Sequence, residues 1–387
     1  MIDKLKNHYF LSQPHQPFFV LAFVNALVSI ILFALIFNGS IHSNTPAKLY
    51  HAYSLIYLLF TPAFLAFLFT TFPRFSATPP IEKKQYLAIF YPYLTASLFS
   101  YFSLFSSSLL AVSMLFAFIA HLGGVAILWS IYKQSTMQDK YDQFWILVAS
   151  SFGLIAELFL FISLWFPSFQ IIAIQIAIYL YLFLVFFTVA QRMVPFFSHA
   201  PIEKHKERFK VIVGLLSIHI FLELIQSNSS FLADLLIAYL IGRELYRWKL
   251  PFPNPNPLVW ILHIALFWIP IAFLLSSVSS ILTLVTGVSY LYLGIHTLAL
   301  GFFLTMMIGF GTRVTIGHSG NMMMADKYTK SLFYGTQVVV IGRILTSLSI
   351  TGESFLLFFN LSIILWLALF TAWAYRFFAV LVFGKKL

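Results

Sequence analysis

The sequence predicts an all-α, polytopic integral membrane protein of about twelve transmembrane helices with both termini cytoplasmic. Three observations predict it. Of 387 residues, 60% are hydrophobic and only 9% are charged, where soluble domains carry about 25% charged residues. Even a large soluble core cannot hide that much apolar surface, so the solvent is lipid. Apolar runs also recur at the length, about 20 residues, that crosses ~30 Å of hydrocarbon. The basic residues, finally, fall in alternate loops, as cytoplasmic loops require.

The runs lie near residues 18–38, 50–72, 86–106, 110–132, 144–166, 169–190, 210–227, 230–248, 257–278, 288–311, 332–351 and 355–380. The first exceeds the apolar region of a signal peptide and lacks a small-residue cleavage site, so it reads as a span. The second opens on His51. The fourth carries His121 beside two glycines, and the fifth carries Glu157 mid-span. The seventh holds His219 and Glu223, and the eighth begins near Asp234. The ninth has His263 two turns from its cytoplasmic end. His296 sits in the outer half of the tenth, and Arg343 in the outer half of the eleventh. No stretch between spans is long enough to fold alone, so residues 1–387 form a single membrane domain.

Orientation follows from Lys and Arg. With the N-terminus inside, Lys4 and Lys6, Arg74, Lys83 and Lys84, the cluster from Arg192 through Lys204 to Lys210, and their counterparts further on all fall on the cytoplasmic side. Of 23 basic residues, 21 do so; only Lys48 and Arg343 fall on the other half. The formal net charge of +11 is therefore topological, with the lipid bilayer and its anionic headgroups as partner. No P-loop, dinucleotide fingerprint or aromatic-interleaved basic patch is present, which excludes nucleic acid as a partner. There are no cysteines. Thiolate metal sites, iron–sulfur clusters and the CxxCH haem attachment are thereby excluded, and any metal falls to His, Met, Tyr or carboxylate.

A histidine facing lipid is costly, so it faces a partner, a ligand or water inside the protein. Sorted by depth, the histidines form an outer pair, His51 and His296, and an inner set, His15, His263 and His318. His296 and His318 are 22 positions apart, roughly 33 Å along a helix. One ion reaches both only if the chain after Met307 folds back. Neutral imidazole suits Fe, Cu and Zn, and facing imidazoles make an axial pair for haem. An interhelical hydrogen bond is the alternative for each. His121 and His219 read as packing or hydrogen-bonding residues, and His8, His42, His199 and His205 as solvated interfacial ones.

Tyr292, His296, Ala299, Phe303 and Met307 share one helix face. Met306, Met307 and Met322 to Met324 read as gap fillers, with Cu(I) ligation as the alternative. Arg343 suits a carboxylate, either a haem propionate or an ion-pair partner such as Glu157. Glu157 itself reads equally as a proton relay.

The segments "FFVLAF" after His15, "YHAY…LAFLFTTFPRFSATPP" from Tyr50, "RMVPFF" at Arg192, "NPLVWILHIALFWIP" from Asn256 and "IHTLALGFFLTMMIGFGTRVTIGHSG" from Ile295 resemble the NnrS family, in the same order across nearly the whole chain. The most specific signature runs from His296-Thr297-Leu298 through Met306 and Thr312-Arg313 to Gly317-His318-Ser319-Gly320. His15, His263, His296 and His318 match family histidines, and Arg313 and Arg343 match family arginines. Where the family has Trp-His-Ala-His-Glu-Met, this chain reads Tyr50-His51-Ala52-Tyr53-Ser54-Leu55, exchanging a second histidine for a phenol and an acid for a hydroxyl.

The resemblance implies a multi-pass protein of the cytoplasmic membrane, linked to denitrification and nitric oxide stress, with haem b and copper as cofactors. Haem-dependent redox activity on nitric oxide, fed by a quinol or other electron donor, is the enzymatic reading. His51, His296, His263 and Arg343 are then the cofactor-binding residues, and His51, His296, His263, His318 and His15 the metal ligands. The alternative is a transporter for a metal, haem or small solute, with a histidine-lined path. Such transporters carry two related halves, and residues 1–190 show no convincing match to 191–387. A haem-copper oxidase relative would need more clustered histidines and an intact second-span pair.

Overall fold

The computed structural model describes residues 9–200, 205–349 and 352–387, and every regular element among them is a helix. Lys4, Lys6, His8 and Lys204 lie outside the described residues. After a short 3-10 turn, twelve long helices follow: α1 His15–Phe37, α2 Ala47–Phe75, α3 Lys83–Phe102, α4 Ser107–Gln134, α5 Tyr141–Ile162, α6 Phe169–Phe197, α7 Lys206–Ile225, α8 Phe231–Arg247, α9 Pro257–Thr286, α10 Leu293–His318, α11 Lys327–Leu348 and α12 Gly352–Phe383. They follow the twelve apolar runs in order. Nine are long and apolar enough to cross a membrane. The other three, α3, α7 and α8, fall short through polarity or length, α8 having 17 residues. The protein is an all-α, multi-pass membrane protein. Helices suit this solvent because they satisfy every backbone polar group within the segment.

Two boundaries move in ways that matter for the site. α9 runs to Thr286 and stops at Gly287, whose φ of 73° ends it in a left-handed cap. α10 starts later than its apolar run, after Tyr292 at φ 58°, and ends on His318. Its last turn includes Gly317, so His318 is a helical residue and not part of a glycine turn. The positive φ comes two residues later, at Gly320. No fold-back follows Met307, because the helix continues through it.

Three helices contain a stretch of wider π turn: Ser54–Phe60 in α2, Ile176–Leu182 in α6 and Leu298–Leu304 in α10. They start at 54, 176 and 298, two steps of 122 residues. The starts of the other helices recur at similar steps, of 116–126 residues: 15, 141 and 257; 83, 206 and 327; 107, 231 and 352. The chain is thus three successive four-helix repeats, with the π-bearing helix second in each. These second helices are the buried ones. Their spanning windows are 83%, 72% and 78% buried, against 28–56% for the other six spans. The comparison of two halves in the sequence missed this because the step is a third of the chain. The segments SLIYLLF, IAIYLYL and LALGFFL also share apolar character more than identity.

The wider turns free carbonyls, and side chains collect them. Thr61 Oγ1 donates to Ile56 O at 2.8 Å and Thr305 Oγ1 to Leu300 O at 3.0 Å, each five residues back. Asn25 Nδ2 on α1 donates to Leu58 O at 2.6 Å. The ends of α2 and α6 repeat as well. Ser76 and Ser198 donate from N to Phe72 O and Val194 O, and the next residues, Ala77 and His199, have φ 52° and 51°.

The helices gather into two compact units. The first comprises the described residues up to Ala177 with Gly311–Met323 and Phe370–Leu387; the second comprises Ile178–Phe310 and Met324–Leu369. In the first, Phe23 of α1 stacks on Trp373 of α12 at 3.9 Å between ring centres, and the Trp373 indole donates to Thr312 Oγ1 at 3.0 Å. In the second, α9 and α10 approach closely at Gly301, where a Cβ would come within 2.6–2.8 Å of Trp268.

Candidate functional site

The first unit brings His15 and His318 together. His15 opens α1 and His318 closes α10, and their ring centres are 5.0 Å apart with planes inclined at 48°. His15 is buried, and its Nδ1 has no hydrogen bond. Arg74, at the end of α2, lies within electrostatic reach of His318. The turn after His318 is clamped by the C-terminal segment: Lys386 Nζ donates to Ser319 O at 3.3 Å and Gly320 O at 2.8 Å, and Leu387 N donates to Asn321 Oδ1 at 3.0 Å.

The spacing of the two rings limits what the pair could hold. A metal–imidazole bond of about 2.0–2.1 Å puts each ring centre roughly 3 Å from the ion, so axial ligands on opposite haem faces sit roughly 6 Å apart. At 5.0 Å the pair is too close to sandwich a porphyrin, yet suits two ligands of one small ion at a tetrahedral angle. A soft donor is at hand. Met323 Sδ lies 3.4 Å from where a Cβ on Gly317 would be, next to His318, and thioether sulfur with imidazole suits Cu(I). Met322, Met323 and Met324 are 77%, 42% and 66% exposed. They fill no gap between helices, unlike the buried Met306 and Met307. Among the described residues, no three His, Cys, Asp or Glu side chains form a group able to hold a metal.

The second unit holds His263, His296 and Arg343. His263 is fully buried on α9, with Nε2 2.7 Å from Ser198 Oγ at the end of α6. The hydroxyl of Ser198 donates its one proton to Val194 O at 2.7 Å. With that proton on the carbonyl, Nε2 carries the hydrogen and Nδ1 keeps its lone pair; Nδ1 is buried and without a hydrogen bond. This is how a ligating histidine is held: one nitrogen fixed, the other bare.

His296 is differently placed. Its Nδ1 lies 3.0 Å from Tyr292 O, and Arg343 Nη2 approaches Nδ1 at 3.0 Å and Nε2 at 3.3 Å. Arg343 also donates to Ser347 Oγ at 2.6 Å and Leu291 O at 3.3 Å. The expected carboxylate partners have other engagements. Glu157 pairs with His121, Asp234 with His219, and Glu223 accepts from the backbone of Asn228 and Ser230. The arginine took an imidazole because pairing depends on depth and helix rotation, which charge alone does not specify.

His51 opens α2 in the first unit, its ring 4.3 Å from that of Phe33. Beside it the substituted motif is used internally: Tyr53 OH bonds Ser113 Oγ at 2.8 Å, and Ser54 Oγ donates to His51 O at 3.4 Å. His42, His199 and His205 are exposed, as interfacial residues are. Sequence reasoning missed the contribution of Ser198. Its position after Pro195-Phe196-Phe197 matches Ser76 after Pro73-Arg74-Phe75, and this echo was the available signal.

The profile of the family described as NnrS protein matches residues 9–383. No functionally curated protein matches the chain. With the match covering nearly the whole length, the twelve helices and the histidines just described are those of a nitric-oxide-related membrane protein, and the chain belongs to the NnrS family.

Proposed function

We propose that the protein binds haem b and copper in the cytoplasmic membrane and acts on nitric oxide, in its metabolism or in the response to nitrosative stress. The observation that carries this is that His263 Nδ1 and His15 Nδ1, on two of the proposed ligands, are buried without hydrogen bonds, as His219 Nε2 also is. An unpaired buried polar atom costs about 1–3 kcal/mol, and a metal bond offsets that cost.

The residues divide the work by geometry. His263, its tautomer set by Ser198, offers Nδ1 to haem iron amid apolar side chains that exclude water. His15 and His318, with Met323, hold a single small ion, for which copper is the family's metal. His51 and His296 stay ligand candidates in their own units, and Arg343 orients His296. Bound haem iron supplies a site for nitric oxide and one-electron chemistry; a quinol or other donor provides the electrons.

The test is an optical spectrum and metal analysis of the full-length protein, purified from haem-sufficient, copper-supplemented cells. A Soret band with bound copper is expected. Absence of both defeats the proposal.

A further inference from the structure

Two buried histidines are each held by a carboxylate. His121 Nδ1 on α4 lies 2.8 Å from Glu157 Oε2 on α5, and His219 Nδ1 on α7 lies 2.6 Å from Asp234 Oδ1 on α8. None of the four residues is more than 2% exposed. Each imidazole also meets a tyrosine from the middle of a π turn: Tyr57 against His121 at 6.3 Å, Tyr179 against His219 at 4.2 Å between ring centres. Tyr57 and Tyr179 are one repeat step of 122 residues apart. The tyrosines are thus equivalent, whereas the two His–carboxylate pairs bridge non-equivalent helices, α4 with α5 and α7 with α8.

The two pairs differ in how the carboxylate is completed. Asp234 Oδ2 accepts from Ser276 Oγ at 2.8 Å and Ser230 Oγ at 3.3 Å, so both its oxygens are engaged. Glu157 Oε1 is buried with no hydrogen bond. A net charge is expensive at this depth, and in each pair the acid and the imidazole face one another at hydrogen-bond distance. Only Glu157 has an oxygen free to exchange a proton.

A line of hydroxyls leads away from Glu157 within the first unit. Tyr53 lies within electrostatic reach of both Glu157 and Tyr50, and its hydroxyl bonds Ser113, whose own proton goes to Ala96 O at 2.6 Å. The Tyr50 hydroxyl lies beside those of Ser29 and Ser100, and these three are buried outside hydrogen-bond geometry. Such a trio gives a bridging water its two to four polar partners. Asn25 donates to Ser97 Oγ at 2.9 Å and accepts from Tyr101, which is part-exposed near the end of α3. The titratable groups facing the pair are His121 from α4 and Tyr53 and Tyr57 from α2.

We propose that His121–Glu157 is a proton-binding site that exchanges with the membrane surface through Tyr53, Tyr50 and Tyr101, and that His219–Asp234, whose carboxylate is fully engaged, is a structural pair. The step is proton transfer alone. An O–H bond on the neighbouring water or hydroxyl breaks as one forms on Glu157 Oε1, that donor regains a proton from the next hydroxyl toward the surface, and no electrons move.

Infrared spectroscopy of the full-length protein in nanodiscs, following the carboxylic C=O stretch through a pH titration and an H2O-to-D2O exchange, tests this without any cofactor. We expect a titrating, exchangeable band that is lost in Glu157→Gln and kept in Asp234→Asn. Tyr53→Phe removes only a hydroxyl and should slow the exchange of that band roughly 10²-fold, the lower end of what a positioned proton carrier contributes. Should Glu157→Gln not fold, the exchange rate in Tyr53→Phe and Tyr50→Phe decides alone. Exchange at the wild-type rate in both, or a titrating band that survives Glu157→Gln, overturns the proposal.

Discussion

Ser198 Oγ lies 2.7 Å from both His263 Nε2 and Val194 O. With its proton on that carbonyl, Nδ1 is the bare nitrogen of a fully buried imidazole. Ser198→Ala removes the acceptor and frees the tautomer. Loss of such a supporting partner weakens metal binding by about 10–100-fold, and haem titration into the purified variant should read that loss. Unchanged haem affinity in both Ser198→Ala and His263→Ala would remove His263 from the ligand set.

His318→Lys separates ligation from helix capping. A cation at the C-terminal end of α10 is favourable by ~0.3–1 kcal/mol, and lysine retains it. A protonated ammonium has no lone pair for a metal. We expect copper content to fall in His318→Lys and His15→Ala alike, and affinity to weaken in Met323→Leu. Full copper loading in His318→Lys would leave His318 a cap.

Arg343 and His296 are in direct contact, so their substitutions should not add. Residues sharing a hydrogen-bonded contact couple by about 0.5–3 kcal/mol. A thermal-denaturation cycle with Arg343→Ala, His296→Ala and the double variant should return a coupling in that range. Additive losses would mean the 3.0 Å approach contributes nothing.

Gly301 sits where α10 touches α9, with no room for a methyl group beside Trp268. Gly301→Ala should destabilise the protein by about 1–3 kcal/mol through overpacking. Adding Trp268→Leu should recover part of that loss in the same melting assay. No recovery would place the strain elsewhere.

The charge pattern predicts the membrane orientation of the helices. Reporter fusions at Lys84, Lys204 and Lys249 should read as cytoplasmic, and fusions near Ser107 and Asn228 as periplasmic. The assay also counts the spans, since α3, α7 and α8 fall short of the apolar length a span needs. Reversed readings at two of these sites would discard the twelve-span topology.

The fold class was readable from the chain because a bilayer admits few solutions. Runs long enough to cross it must be helices, and the helices follow the apolar runs in order. The histidines at risk were equally visible, since polar residues in such runs are rare and need partners. What each one meets was not visible. A helix buried on most of its circumference, as α2, α6 and α10 are, is apolar all round, so its sequence does not say which face meets which neighbour. Packing set those rotations, and with them the meeting of His15 with His318 across 303 positions, the choice of His121 by Glu157 and the union of Arg343 with His296. The triple repeat was hidden for a related reason: a π turn is a backbone event that unlike apolar residues can share. The sequence by itself determined the solvent, the helices and the candidate ligands; only the tertiary structure decided which nitrogens are held and which are bare, because side chains on different helices meet through helix rotation and depth.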